Sequence, residues 1–234
     1  MELEITKKEL TTPMAVLIAG ILISGSILMG FSWISPSKGK VLNMAKATVD
    51  AGAKAVNTDG EPFVGSPDAP VTVTYWFDYQ CPFCKLAEGK VISPLMQEFV
   101  KDGQVKIVFK GMQFLGADSQ SAGIASYAVW EAAPQKFNAW HTAMFDKQDT
   151  ENGGWGNAKD IAALTKEVLG DADAAKVASL IATKSAVYQK MIDADRTEAN
   201  TFNISGTPSF TVNDTVVLVR DYSDIENAVK NLLK

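Results

Sequence analysis

Cysteine and histidine are almost missing from this chain of 234 residues, which has two cysteines and one histidine. Domains stapled by structural disulfides carry more cysteines, spaced to close long loops. Here both fall in a single CxxC, Cys81 and Cys84. A bridge over two intervening residues closes too small a loop to stabilise much through chain entropy. Reactive chemistry is the stronger reading of the pair. Zinc as a rule takes four ligands, and beyond the pair the chain offers only His141. No metal site is expected. The net charge is −5 and no run of Lys or Arg stands out, so the electrostatic footprint of a nucleic-acid binder is missing. Internal repeats and low-complexity tracts are also absent. At 47% hydrophobic and 21% charged, the composition is that of an ordinary globular chain.

Charge is missing in one more place. From Leu10 to Ser37 there is no charged residue. The densest apolar part, Met14 to Ile34, would span roughly 30 Å as a helix, the thickness of a bilayer core. Trp33 falls at the expected interface. A cleavable signal peptide would have a shorter apolar region and a small-x-small site after it. No good Ala-x-Ala site follows here. Residues 13–35 are therefore expected to be one uncleaved transmembrane anchor after a short tail, 1–12. Lys7 and Lys8 precede it and Lys38, Lys40 and Lys46 follow, so the flanks do not favour a cytoplasmic N-terminus. The outward placement of the large domain rests on the chemistry below.

Residues 36–61 are punctuated by Pro36, Gly39, Gly52, Asn57 and Gly60 and are expected to be a linker or stalk. A helix near Val41–Val56 is compatible with its pattern. The folded domain is expected over 62–234. Val71 to Phe77 is β-branched and aromatic, the pattern of a strand. A helix is expected from the CxxC to about Lys101, kinked at Pro94, where a backbone donor is missing. Val105 to Phe109 should be the next strand, paired parallel to the first. Helices are expected near 119–133, 136–148, 158–169 and 173–202. Ser209–Val212 and Val216–Val219 should form a hairpin around Asn213-Asp214. A last helix should be capped by a box of Ser223 and Glu226, with Ile225, Val229, Leu232 and Leu233 on its apolar face.

A CxxC that follows a strand and opens a helix puts Cys81 at the helix N-terminus. The N–H groups and dipole there favour a thiolate. Thiolates are the species that attack disulfide sulfurs. Cys84, three residues on, shares the helical face and lies within bridging reach. Cys81 is expected to be the nucleophile, and Cys84 the more buried, resolving cysteine.

The sequence resembles the DsbA-like branch of the thioredoxin superfamily. The resemblance is carried by Phe77-Asp-Tyr-Gln-Cys-Pro-Phe-Cys84, by Gly206-Thr-Pro-Ser-Phe210 and by Lys136 to Phe145. It covers about 62–234. It implies an α/β thioredoxin fold interrupted by a helical insertion at about 116–202, here preceded by the single transmembrane helix. It also implies that Pro208 is held cis beside the active site, and that Thr207 pairs through its backbone with bound substrate peptide. Where the best-known member of the branch has histidine, this chain has Phe83. A phenyl ring cannot stabilise the Cys81 thiolate by charge or hydrogen bond, so a less oxidising couple than a histidine variant would have is expected.

The remaining candidates read as scaffold. His141, beside Trp140 and Phe137, is expected to pack a helix face. Lys110 is expected to be a solvated strand end, with an approach to the active-site cysteines as its functional alternative. Asp78, Tyr79 and Gln80 should shape the loop before Cys81, and Tyr75, Trp76 and Phe77 the strand core. The reaction expected is dithiol–disulfide exchange with protein thiols, foremost their oxidation outside the cytoplasm, with no metal, nucleotide or flavin. The resemblance implies a membrane partner that reoxidises the pair. A reductase or isomerase of the same fold is the first alternative. A membrane-tethered peptide-binding module with a static bridge is the second; it would keep binding after both cysteines become serine.

Overall fold

Val71-Thr-Val-Thr-Tyr-Trp-Phe77 forms the central strand because both of its faces are covered; six of its seven residues are buried. In the computed structural model, which describes residues 54–234, this strand (β2, Val71–Phe77) lies in a sheet of order β1-β3-β2-β4-β5. β3 (Val105–Gly111) runs parallel to it, in register from Val71↔Val105 to Phe77↔Gly111. β1 (Phe63–Val64) pairs antiparallel with β3. β4 (Ser209–Val212) is antiparallel to β2, and β5 (Thr215–Val217) to β4. Asn213 turns the hairpin at φ 49°, a left-handed conformation that asparagine tolerates. The second strand therefore begins one residue before its expected start and ends at Val217.

Helix α1 covers residues 82–100. Its α-helical segments Pro82–Ala87 and Ser93–Leu95 alternate with π-helical ones, Glu88–Ile92 and Met96–Val100. Pro94 has no N–H to give. The chain answers with wider turns on both sides, where Ser93 N–H reaches Glu88 O and Lys101 N–H reaches Met96 O. Between β3 and β4 lie α2 (Ala117–Ala132), α3 (Phe137–Lys147), α4 (Ala158–Leu169) and the 31-residue α5 (Asp171–Thr201). Asn157 caps α4 by accepting from the N–H groups of Lys159 and Asp160, and Gly170 ends it at φ 82°.

The last helix, α6 (Tyr222–Leu232), starts two residues earlier than expected. Its cap is Asp221 and the reciprocal partner is Asp224, not Ser223 and Glu226. Asp221 accepts from the Ser223 N–H at 2.9 Å, which carboxylates do well next to a helix N-terminus. Ile225 and Val229 are buried as expected, whereas Leu232 is 51% exposed because the helix runs off the end of the domain there.

The expected tail, anchor and possible stalk helix lie outside the described residues, apart from 54–61. Among the described residues no helix is long and apolar enough to cross a membrane. The end of the expected linker is tied to the fold. Val56 N–H donates to Asp214, Asn57 N–H to Glu198, and Glu61 is buried.

Lys110 is the largest departure from expectation. It is 1% exposed, not solvated. Its ammonium meets Asp195 and Glu198 at 2.8 Å, Glu61 at 3.3 Å and the carbonyl of Asn57 at 2.8 Å. The strand end is covered by α5 and by the 57–61 segment, so a lone buried cation there has to be paired. The Tyr127 hydroxyl lies 2.6 Å from Glu61 and 2.7 Å from Asp195. One hydroxyl proton cannot serve two carboxylates. Burial, and then the neighbouring Asp195 charge, raises the Glu61 pKa, which supplies the second proton. This cluster joins the insertion to the sheet; Lys110 does not serve the cysteines.

Candidate active site

Phe77 ends β2, and the chain then needs a sharp turn into α1. Asp78 makes it. Its buried carboxylate accepts from the N–H groups of Gln80 (2.8 Å), Phe114 (2.9 Å) and Leu115 (3.0 Å) and from the Ser119 hydroxyl (2.7 Å). These donors hold down a carboxylate whose pKa burial pushes up. Gln80 in turn receives the Asn152 N–H at 3.1 Å. Asp78, Tyr79 and Gln80 thus shape the loop before Cys81. The turn delivers Cys81 as the N-cap of α1, with Pro82 at the first helical position, where no donor is lost.

Both cysteines are free thiols. Cys84 is fully buried and Cys81 is 5% exposed, the order expected for an outer and an inner sulfur. Their chemistry is pushed apart. The Cys84 thiol, and after it Thr207, lower the Cys81 pKa from 9.0 to about 6, against the effect of burial. Burial, and then the Cys81 charge, drives the Cys84 thiol far up. The outer sulfur is thus the more readily ionised of the two, and the inner one is held as a thiol.

The Thr207–Pro208 bond is cis, and Thr207 O lies 3.4 Å from Cys81 Sγ. Fold and loop thus bring together Cys81, Cys84, Thr207 and Pro208 from the two sequence motifs. Beside them opens a groove of about 670 Å³, whose walls include Phe83, Leu86, Lys90, Pro208, Phe210 and Arg220. Phe83 is 66% exposed, so its ring belongs to the surface around Cys81 and does not screen the sulfur.

His141 sits under this loop, 1% exposed, and does more than pack. Its Nδ1 lies 2.9 Å from the Tyr79 hydroxyl, and its Nε2 donates to the Glu88 carboxylate at 3.0 Å. Phe77, Phe109, Phe137 and Phe145 surround the ring. Sequence reasoning missed Glu88 and Gln148. Glu88 follows Cys84 by one helical turn, a signal that spacing on α1 could have supplied. Gln148, whose amide donates to Tyr79 O and Cys81 O, carried no local signal, because these carbonyls belong to a loop far away along the chain.

The family model described as "Thioredoxin" matches residues 57–231. The chain belongs to the DsbA-like thiol–disulfide oxidoreductases of the thioredoxin superfamily. Like them it is a thiol–disulfide oxidoreductase. It is 31% identical over 194 residues to disulfide bond formation protein D of Bacillus subtilis, covering 79% of this chain and 82% of that one. A probable disulfide bond formation protein D of Bacillus cereus is 25% identical, over 92% of this chain and 95% of that one. The crystal structure of oxidised BdbD from Bacillus subtilis superposes with a TM-score of 0.69 at 30% identity, covering 77% of this chain and 97% of that one. For a DsbA-like oxidoreductase, the sheet, the inserted helices α2–α5 and the cysteine pair at the start of α1 all stand in one domain.

Proposed function

We propose that this chain is a membrane-anchored, extracytoplasmic thiol oxidase that transfers the Cys81–Cys84 disulfide to substrate proteins. The contrast between the two sulfurs carries the direction: Cys81 ionises more readily than a free thiol, and the fully buried Cys84 far less readily. That contrast favours the reduced pair and so makes the bridged pair an oxidant. In the reaction, a substrate thiolate attacks Cys81 Sγ and the Cys81–Cys84 bond breaks. Cys84 leaves and takes a proton, since its buried thiolate is costly. A second substrate thiolate then attacks the substrate sulfur of the mixed disulfide and expels Cys81 as thiolate. The substrate gains one disulfide, and the pair gains two electrons. Cys81, with the lower pKa, is the better leaving group in this second step. Thr207 and Pro208, at the wall of the groove, present the substrate strand to Cys81. A membrane partner takes the two electrons and restores the bridge. The names of the two relatives support oxidation over reduction.

The equilibrium constant of the Cys81–Cys84 couple against glutathione tests the direction. A potential between about −120 and −180 mV, or above, is the expected result for a disulfide donor. A value near −270 mV is that of a reductase and would overturn the oxidase reading. The same titration on Phe83→His is expected to give a higher potential, and an unchanged one would remove Phe83 from the account. The uncharged run 10–37 supports the anchor. The full chain is expected to stay with membranes at alkaline pH, where peripheral proteins wash off; release into the supernatant would sink the anchor.

A further inference from the structure

We propose that Gln148, just past the end of α3, is a positioning residue through which the helical insertion sets the redox character of Cys81. The inference rests on reading Cys81 and Cys84 as the redox pair. Gln148 is 5% exposed, and its Nε2 donates to Tyr79 O at 2.7 Å and to Cys81 O at 3.1 Å. Both partners are carbonyls, which only accept, so the amide has one workable orientation. Its Oε1 then points into the protein and finds no donor. A buried acceptor without a partner is costly, and the two N–H bonds to the loop are what offset it.

A second tie runs the other way. Lys85 follows Cys84 directly, and its ammonium donates to Gln148 O at 2.7 Å and to Asp146 O at 3.3 Å. These carbonyls lie at the negative end of α3, where a cation is favoured. The CxxC is thus fastened to the insertion from both sides. The active-site loop and the first turn of α1 cannot move against α3 without breaking these bonds.

Cys81 has no side-chain cap to set its backbone; as N-cap it sits at φ −77°, ψ 117°. At this backbone geometry the sulfur stands at the N-terminus of α1, 3.4 Å from Thr207 O, and it keeps that place only while the backbone stays put. Gln148 pins the carbonyl of the same residue. Without the amide donor the loop is free to turn, the sulfur leaves the positive end of α1, and the reduced pair loses part of its advantage.

The test is Gln148→Met in the full chain, which keeps the side-chain volume and removes the donor. The equilibrium constant with glutathione is expected to fall about tenfold in oxidising strength, about 30 mV. The pH midpoint of Cys81 alkylation is expected to rise with it. An unchanged constant and midpoint would overturn the proposal, even with a lower melting temperature, since Gln148 would then be packing alone. Should that variant not fold, Gln148→Asn replaces it. Its amide is one methylene short of spanning both carbonyls, so the same shifts are expected and their absence counts equally against the proposal. If the unaltered chain exchanges no disulfide with glutathione, the redox reading itself falls, and this inference with it.

Discussion

Cys81→Ser is expected to reduce disulfide exchange to the uncatalysed rate, and Cys84→Ser to stall it part-way. Serine at position 81 removes the thiolate that attacks and leaves, and a hydroxyl does not ionise at neutral pH to replace it. The fold should survive, because serine is nearly isosteric with cysteine and keeps a donor toward Thr207 O, which lies 3.4 Å from Cys81 Sγ. With Cys84 replaced, Cys81 can still attack a disulfide, but nothing beneath it can resolve the product. Incubation with oxidised glutathione should therefore leave Cys84→Ser carrying one glutathione, and Cys81→Ser carrying little. Intact-protein mass spectrometry reads both. Heavier labelling of Cys81→Ser than of Cys84→Ser would reverse the two roles. Full exchange by a chain with both cysteines replaced would place the chemistry elsewhere.

The second large effect is a pH-dependent gap between the reduced and oxidised proteins. In the folded reduced chain the Cys81 pKa is lowered to about 6 from the 9.0 of a free thiol. A lowered acid pKa contributes stability that is complete above the unfolded pKa and is lost as pH falls through the folded one. The oxidised chain has no thiol at this position and is its own control, while groups such as Glu61 titrate in both forms and cancel. From pH 9 down to about 6, each unit should take about 1.4 kcal/mol from the reduced form relative to the oxidised one. For a domain of this size that is roughly 3–6 °C in Tm per pH unit. Below about pH 6 the gap should level off. Paired melting curves across this range measure it. A gap that does not change with pH would show that Cys81 is an ordinary thiol and would remove the driving force assigned to the oxidase.

The helices of the insertion were legible because their ends carry local signals: Asn157 and Gly170 bound α4 at the residues where the spacing placed it. The start of α6 was misplaced because Asp221 and Ser223 are both good caps. The choice between them depends on which carboxylate, Asp224 or Glu226, reaches back to the chain before the helix. Lys110 was misjudged for a similar reason. A lysine at a strand end is usually solvated, and the carboxylates that pair with it come from α5 and from the segment before β1, far away along the chain.

Sequence alone determined the chemistry of this protein. Two cysteines three apart on an emerging helix, with too few other ligands for zinc, leave thiol exchange as the reading, and those constraints are local. The tertiary structure decided how the pair is tuned. Cys84 is fully buried only because the sheet and α1 close over it. Cys81 meets Thr207 only because β4 lies beside β2. Gln148 reaches the carbonyl of Cys81 only because the insertion folds back onto the loop. Burial and hydrogen bonds between distant segments depend on how the chain packs in space, and a pattern of neighbouring residues does not encode them.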